Sequence, residues 1–358
     1  MRAGLVLLIA AALAPASASL GTGQEPKPAP IVLGYYPSWV SRPSVKEIKL
    51  DRFTHLAHAF LQAEDDGTLK QSRAIPSREL TQRAHEHGVK VLLSLGGARS
   101  ARTFRQIART AEIRDRYAAA AVRAATENGY DGLDLDWEPA EGDEDRQGIV
   151  LLVRALRSAW PGAILSLAAF ASDWYGKTLD TDELRKHVDF LNVMTYDFHG
   201  PWSGHAGHNA PLRGAPDDED GAVASLESGM AYWTGKRKWP ADRLNVGIPC
   251  YGRGFAVKEW HQKPAGKAPH ETVDHHDIAG LLQDGWRRAW DAKVGVPTLL
   301  KEGVTELISY EDPESAALKG AWAREKGFRG IFFWNIEQDW RDGDHEIVRA
   351  AAASFRGR

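Results

Sequence analysis

The amino-acid sequence predicts an α/β chain folded as a (β/α)8 TIM barrel, with a small α+β insertion after strand 7. Two observations predict it. Short, apolar, β-rich runs alternate with helically patterned stretches, and residues able to do chemistry stand at the ends of several of those runs. The runs are 31–36, 54–61, 89–95, 131–137, 163–170, 188–196, 243–250 and 328–334. A doubly wound open sheet is the structural alternative, but no Gly-x-Gly-x-x-Gly turn follows the first run.

Helical patterning fills most of the intervals and is clear at 77–87, 101–127, 145–159, 221–234 and 314–326. One interval is too long for a single connection. About sixty residues separate Cys250 from the 314–326 helix. They hold strand-like pieces at 254–258 and 304–309 and a helical stretch at 277–291. An α+β insertion on the top of the barrel is expected there, at about 254–309, because loops grow on that face.

The chain has 358 residues, 43% of them hydrophobic, as in an ordinary globular protein. Its formal net charge of -3 gives no electrostatic case for nucleic acid. The N-terminus reads as a secretory signal peptide over 1–18. Arg2 supplies the positive end, Leu5 to Leu13 an apolar stretch too short to span a bilayer, and Ala16-Ser17-Ala18 a small-residue cleavage site. Residues 19–30, rich in Gly, Pro and Ala, read as a disordered leader. A secreted or periplasmic protein with no membrane anchor is expected. The lone Cys250 sits in an apolar run, where it reads as a small buried hydrophobe, and no internal disulfide is available.

Residues 131–138 read Asp-Gly-Leu-Asp-Leu-Asp-Trp-Glu. A strand has a side-chain period of two, so Asp134, Asp136 and Glu138 share one face and Leu135 and Trp137 the other. Neighbours in such a row stand roughly 6–7 Å apart. Stacked carboxylates repel one another and lose water. Their use would be to keep one carboxyl protonated near neutral pH as a general acid. Asp131 has the opposite parity and is expected to support the start of the strand. Glu138, Tyr196-Asp197, Tyr251-Gly252-Arg253 and Trp334-Asn335 close or follow strands 4, 6, 7 and 8, which brings them to the same mouth.

The Asp-x-x-Asp-x-Asp-x-Glu spacing resembles the family 18 glycoside hydrolases, the chitinase-like barrels. Further segments carry the resemblance in the same order: Gly34-Tyr35-Tyr36-Pro37-Ser38-Trp39, Ser94-Leu95-Gly96-Gly97, Met194-Thr195-Tyr196-Asp197-Phe198-His199-Gly200, Gly207-His208-Asn209-Ala210-Pro211-Leu212 and Tyr251-Gly252-Arg253. The resemblance runs from about residue 31 to 340, and one barrel domain is expected over 31–356. It implies substrate-assisted retaining catalysis on glycans containing N-acetylglucosamine, with no cofactor. Glu138 is then the acid and base, Asp136 the electrostatic partner, Asp134 a proton-sharing residue that tunes Asp136, and Tyr196 the group that positions the acetamido oxygen. Asp197, Met194, Tyr35, Phe60, Tyr251, Arg253 and Trp334 are the implied substrate-binding residues, with Trp334 as an aromatic floor. Cis peptide bonds are expected at Glu138-Pro139, Ala59-Phe60 and Trp334-Asn335; before proline the cis form costs only about 0.5–1 kcal/mol.

Family members often carry tryptophan after Ser-x-Gly-Gly, where this chain has Ala98. A sugar platform is therefore expected to be missing beside the catalytic subsite. His199, His205 and His208 match no usual zinc spacing and read as loop structure, so no metal is expected. The arginines along 99–123 read as the solvated face of an outer helix. The expected function is a secreted, monomeric chitinase acting on an N-acetylglucosamine polymer or oligosaccharide. The alternatives are an endo-β-N-acetylglucosaminidase acting on N-glycans or peptidoglycan, and a non-catalytic chitin-binding lectin on the same barrel.

Overall fold

The structure is a computed structural model that describes residues 28–358. The signal peptide expected at 1–18 and most of the 19–30 leader lie outside the described residues. Eight parallel strands close into a barrel: β1 (Ile31–Pro37), β2 (His55–Leu61), β3 (Lys90–Gly97), β4 (Gly132–Trp137), β5 (Ile164–Phe170), β6 (Phe190–Met194), β7 (Leu244–Pro249) and, after an insertion, β13 (Gly330–Trp334). β13 pairs with both β7 and β1, which closes the sheet.

The helices are α1 (Arg78–Glu86), α2 (Ala101–Arg109), α3 (Ala111–Glu127), α4 (Gly142–Ala159), the short α5 (Asp173–Gly176), α6 (Thr181–Leu184) and α7 (Leu226–Ala231), then α8 (His275–Gln283), α9 (Pro313–Glu325) and α10 (Glu346–Phe355). Local chemistry sets several starts. Ser77 caps α1 by accepting from Leu80 N, and Asp312 caps α9 by accepting from Glu314 N and Ser315 N, with Pro313 in the first turn.

The period of two divides β4 as the sequence predicts. Leu133, Leu135 and Trp137 belong to the apolar layer between strands and helices. Trp137 is fully buried and stacks on Phe104 with centroids 5.1 Å apart. Gly148 on α4 makes room for it, since a Cβ there would stand 2.9 Å from the indole. Truncating such an anchor costs about 3–5 kcal/mol. The opposite face sends Asp134 and Asp136 into the barrel, among an inner apolar set that includes Tyr35, Ala168, Met194, Tyr196, Tyr251 and Phe332.

Several element boundaries differ from expectation. The helix expected at 101–127 is two helices, because Thr110 is extended (φ -124°, ψ 150°) and caps α3 through Ile113 N. The stretch expected as a helix at 221–234 turns until Ser225, and only Leu226–Ala231 is α-helical before a π turn at Tyr232–Lys236. No α-helix follows β1, only a short 3-10 turn at Leu50–Arg52.

The expected insertion is present and begins earlier than residue 254. Its five-stranded sheet runs β10-β11-β12-β8-β9, from β8 (Tyr251–Phe255), β9 (Val273–Asp274), β10 (Arg287–Asp291), β11 (Val296–Leu300) and β12 (Leu307–Ser309). The helix expected at 277–291 stops at Gln283, and Gly285 (φ 84°) turns the chain into β10. Val273, Ile278, Trp286, Leu299, Ile308 and Tyr310 form the insertion's own core. A two-residue ribbon, β14 (Trp340–Arg341) with β15 (Asp344–His345), precedes α10. No helix among the described residues is long and apolar enough to cross a membrane.

Candidate active site

The acidic row of β4 points into the barrel and ends at its mouth. Asp134 is the deepest member. It is fully buried and accepts four hydrogen bonds: from Tyr35 Oη at 3.0 Å, Ser94 Oγ at 2.7 Å, Ser166 Oγ at 2.5 Å and Asn192 Nδ2 at 3.2 Å. Burial raises its pKa and those donors oppose the rise. Ser94 and Ser166 reach it because β3, β4 and β5 align Ser94, Asp134 and Ser166 in register.

Asp136 is also buried, and burial together with the charge of Glu138 pushes its carboxyl well above the usual carboxylate range. It hydrogen-bonds Glu138, and the two titrate as a pair. The charge of Asp134 raises Asp136 further. Asp136 Oδ1 is buried with no hydrogen-bond partner. Glu138 is itself raised, first by burial, then by the negative charges of Asp197 and Asp134. A residue that sequence reasoning missed fixes this end of the strand. Ser100 Oγ donates to Asp136 O at 2.9 Å and accepts from Glu138 N at 3.1 Å. The peptide bonds Glu138-Pro139, Ala59-Phe60 and Trp334-Asn335 are cis, as expected.

The remaining expected residues gather around this row. Tyr196 is buried at the end of β6, its ring edge-on to Tyr251 and Phe332 at 6.2 and 6.1 Å. Gly247 on β7 leaves space for that ring, since a Cβ there would stand 2.9 Å from Tyr196 Cε1. Asp197 adopts a left-handed conformation (φ 57°), held by its N–H donating to Asn209 Oδ1 at 3.1 Å. Arg253 donates to Asp197 Oδ1 from both Nε and Nη2, at 2.9 and 2.8 Å, and packs its guanidinium over Tyr251 and Trp202. Tyr251 and Arg253 come from β8, the first strand of the insertion, so the insertion supplies part of the site.

Two adjoining cavities of about 350 and 660 Å³ meet at Glu138, Phe170, Met194, Tyr196 and Asp197. They form one groove across the barrel mouth. Tyr35, Phe60, Tyr251 and Trp334 line the first part, beside Ala98. Trp39, which sequence reasoning did not place, stands 60% exposed and stacks on Phe60, which stacks on Trp334, at 6.0 and 5.6 Å. This column of rings puts an aromatic wall in the part of the groove where Ala98 leaves none. Trp174 and Trp202, 50% and 61% exposed, line the second part.

Asp131, expected as support, accepts from Val91 N at 2.7 Å and pairs with His85 at 2.9 Å at the opposite end of β4. Among the described residues, potential metal ligands gather at two places: His199 with His205, Asp218 and Asp220 beside the groove, and Asp274 with His276 and Glu337.

An acid with a raised pKa, coupled to a second buried carboxyl and set in a ring-lined groove at the top of a closed barrel, defines a glycosidase. The sequence pattern of the Glycosyl hydrolases family 18 matches residues 31–339, and the chain belongs to that family. It is 31% identical over 293 residues to Chitinase A1 of Niallia circulans, covering 70% of this chain and 41% of that protein. It is 27% identical over 352 residues to Class V chitinase CHIT5 of Lotus japonicus, covering 90% of this chain and 86% of that one. Its fold superposes on the Group IV chitinase of Ostrinia furnacalis with a TM-score of 0.83 at 24% identity, covering 92% of this chain and 100% of that chain.

Proposed function

We propose that this glycosidase is an exported enzyme that hydrolyses β-1,4 bonds of chitin or chitooligosaccharides by substrate-assisted retaining catalysis. One observation carries the mechanism. The carboxylates lining the inner part of the groove are Asp136, Glu138 and Asp197, and none is a free nucleophile facing the acid. Asp197 is held by Arg253, and Asp136 is hydrogen-bonded to Glu138 with Oδ1 unpartnered. A sugar bearing a 2-acetamido group supplies both missing elements, an N–H for Asp136 Oδ1 and a carbonyl oxygen as nucleophile.

The steps follow. Glu138 gives its proton to the glycosidic oxygen as the C1–O bond breaks, its electron pair leaving with that oxygen. The acetamido oxygen bonds to C1 and forms an oxazolinium ring, whose positive charge faces Asp136. The Tyr196 hydroxyl donates to the acetamido oxygen and holds it in line. Water then bonds to C1 while the Glu138 carboxylate takes its proton, and the ring opens. Two displacements at C1 leave the configuration unchanged. The aromatic walls suit the apolar faces of pyranose rings, and the curated relatives named as chitinases favour chitin as the polymer.

The test is product analysis on chitooligosaccharides, N-glycans and peptidoglycan, with Glu138→Gln as control. Cleavage of chitooligosaccharides with a β-anomeric product at the new reducing end is expected. Wild-type turnover by Glu138→Gln overturns the mechanism, and cleavage only of the other glycans reassigns the substrate. Binding without cleavage would make the protein a lectin. Export is tested by sequencing the N-terminus of protein recovered outside the cytoplasm; an intact Met1 overturns it. Sedimentation is expected to give a monomer.

A further inference from the structure

His199, His205 and His261 converge on Asp218 beside the outer part of the groove. His199 Nε2 lies 3.2 Å from His205 Nε2. Asp218 places Oδ1 2.8 Å from His205 Nε2, and Oδ2 3.5 Å from His199 Nε2 and 3.3 Å from His261 Nδ1. The side chains of His199 and Asp218 are 2% and 4% exposed.

Proton placement makes this cluster unusual. A neutral imidazole has one N–H and one lone pair. His199 Nδ1 stands 3.3 Å from the carbonyl oxygen of His208, which takes its N–H and leaves Nε2 as a lone pair. His205 Nδ1 stands 3.1 Å from Glu219 Oε1 and its Nε2 2.8 Å from Asp218 Oδ1, so both of its ring nitrogens face carboxylates. His261 Nδ1 is buried with no hydrogen-bond partner although Asp218 is near. Ring nitrogens of three histidines therefore converge on one buried carboxylate at 2.8–3.5 Å, a donor set that suits a small cation.

We propose that His199, His205, His261 and Asp218 bind one divalent cation of the zinc class. Zinc bonds of 2.0–2.2 Å to nitrogen and oxygen give tetrahedral edges of about 3.3–3.6 Å, and three of the four separations above lie within about 0.1 Å of that range. The fourth, the 2.8 Å hydrogen bond, opens when a cation replaces the proton. The outer partners suit a metal site, because ligating histidines hold their second N–H on a carbonyl or carboxylate. Asp218 Oδ1 likewise accepts from Asp220 N at 2.9 Å. Four protein ligands leave no open position, so the site is structural.

The ligands come from three segments, which explains why their spacing along the chain resembles no zinc motif. The cation would clip the loop after β6 to the insertion, next to the backbone pair Ala206 N to Gln262 O and His261 N to Ala206 O, both 2.8 Å. Trp202 and Asp220 of the groove wall lie on the clipped segments.

The test uses the full chain, stripped with a chelator, dialysed and titrated with ZnCl2 alone. Calorimetry should give one zinc per chain, and thermal melting a rise in Tm of several degrees that EDTA reverses. His205→Ala and Asp218→Asn should abolish stoichiometric binding, whereas His87→Ala, on an exposed turn, should keep it. No saturable binding and no Tm shift in the wild-type chain overturns the proposal, even if a variant fails to fold. Undiminished binding in both cluster variants also overturns it.

Discussion

Two regions of this molecule bury pairs of ionisable groups, and they do so in opposite ways. In the first, Glu311 and Lys319 pair at the base of α9. Lys319 Nζ donates to Glu311 Oε1 and to Ala210 O, and Ser315 Oγ donates to Glu311 Oε2 at 2.7 Å. Burial pushes Glu311 up and Lys319 down, and each partner's charge opposes that shift. In the second, Asp136 and Glu138 are both acids raised by burial; Glu138 raises Asp136 further, its hydrogen bond with Asp136 holds Glu138 down, and Asp136 Oδ1 is left unpartnered in the wall of a groove. Opposite charges with complete partners hold two elements together. Two acids with a buried, unmatched oxygen in a groove wall await a proton and a substrate. Asp134, with its four donors, is the join between the two styles.

Breaking each region separately sharpens the contrast. The largest effect is expected from Glu138→Gln, which should lower kcat on chitooligosaccharides by about 10²–10⁴-fold, the contribution of a positioned acid and base, with an unchanged melting curve. Lys319→Met should do the reverse. Denaturant unfolding should show a loss of about 3–5 kcal/mol, because Glu311 is left buried and unpaired, while kcat per folded molecule stays at the wild-type value. Adding Glu311→Gln should recover part of that loss.

Asp136→Asn comes next. Losing the charge that faces the oxazolinium ring should lower kcat by about 10²–10³-fold, read in steady-state kinetics, with a smaller change in KM. The smallest effect is on pH dependence. Glu138 must be protonated to start the reaction, and its pKa is raised, so kcat/KM should fall as pH rises through a value above the usual glutamate range. Asp197 contributes to that rise through its charge. Asp197→Asn should therefore move the alkaline limb of the kcat/KM profile toward lower pH. A limb that stays in place would remove Asp197 from the electrostatics of the acid.

Much of the site was legible because its signal is local. Parity alone put Asp134, Asp136 and Glu138 on one face and Asp131 on the other, and the structure follows it. The residues that support the row were harder to read. Ser166 and Asn192 are single polar residues inside apolar strands, and that was their only signal, while Ser94 stood in the Ser94-Leu95-Gly96-Gly97 segment with no role attached. Thr110 broke a long helix because a β-branched residue with a capping oxygen competes with helical continuation, a tendency that sequence shows only weakly. Trp39 was visible within a motif, but its stacking on Phe60 depends on how the loop after β1 returns over β2.

The sequence by itself determined the barrel, the direction of the acidic row and the strand ends that meet at its mouth. These follow from side-chain periods of two and 3.6, which neighbouring residues impose. Only the tertiary structure decided which groups those carboxylates touch. Strand register brought Ser94 and Ser166 to Asp134, the insertion brought Arg253 to Asp197, and loop packing brought His261 and Asp218 to His199 and His205. Contacts between residues distant in the chain depend on register and loop closure, and no local period encodes either.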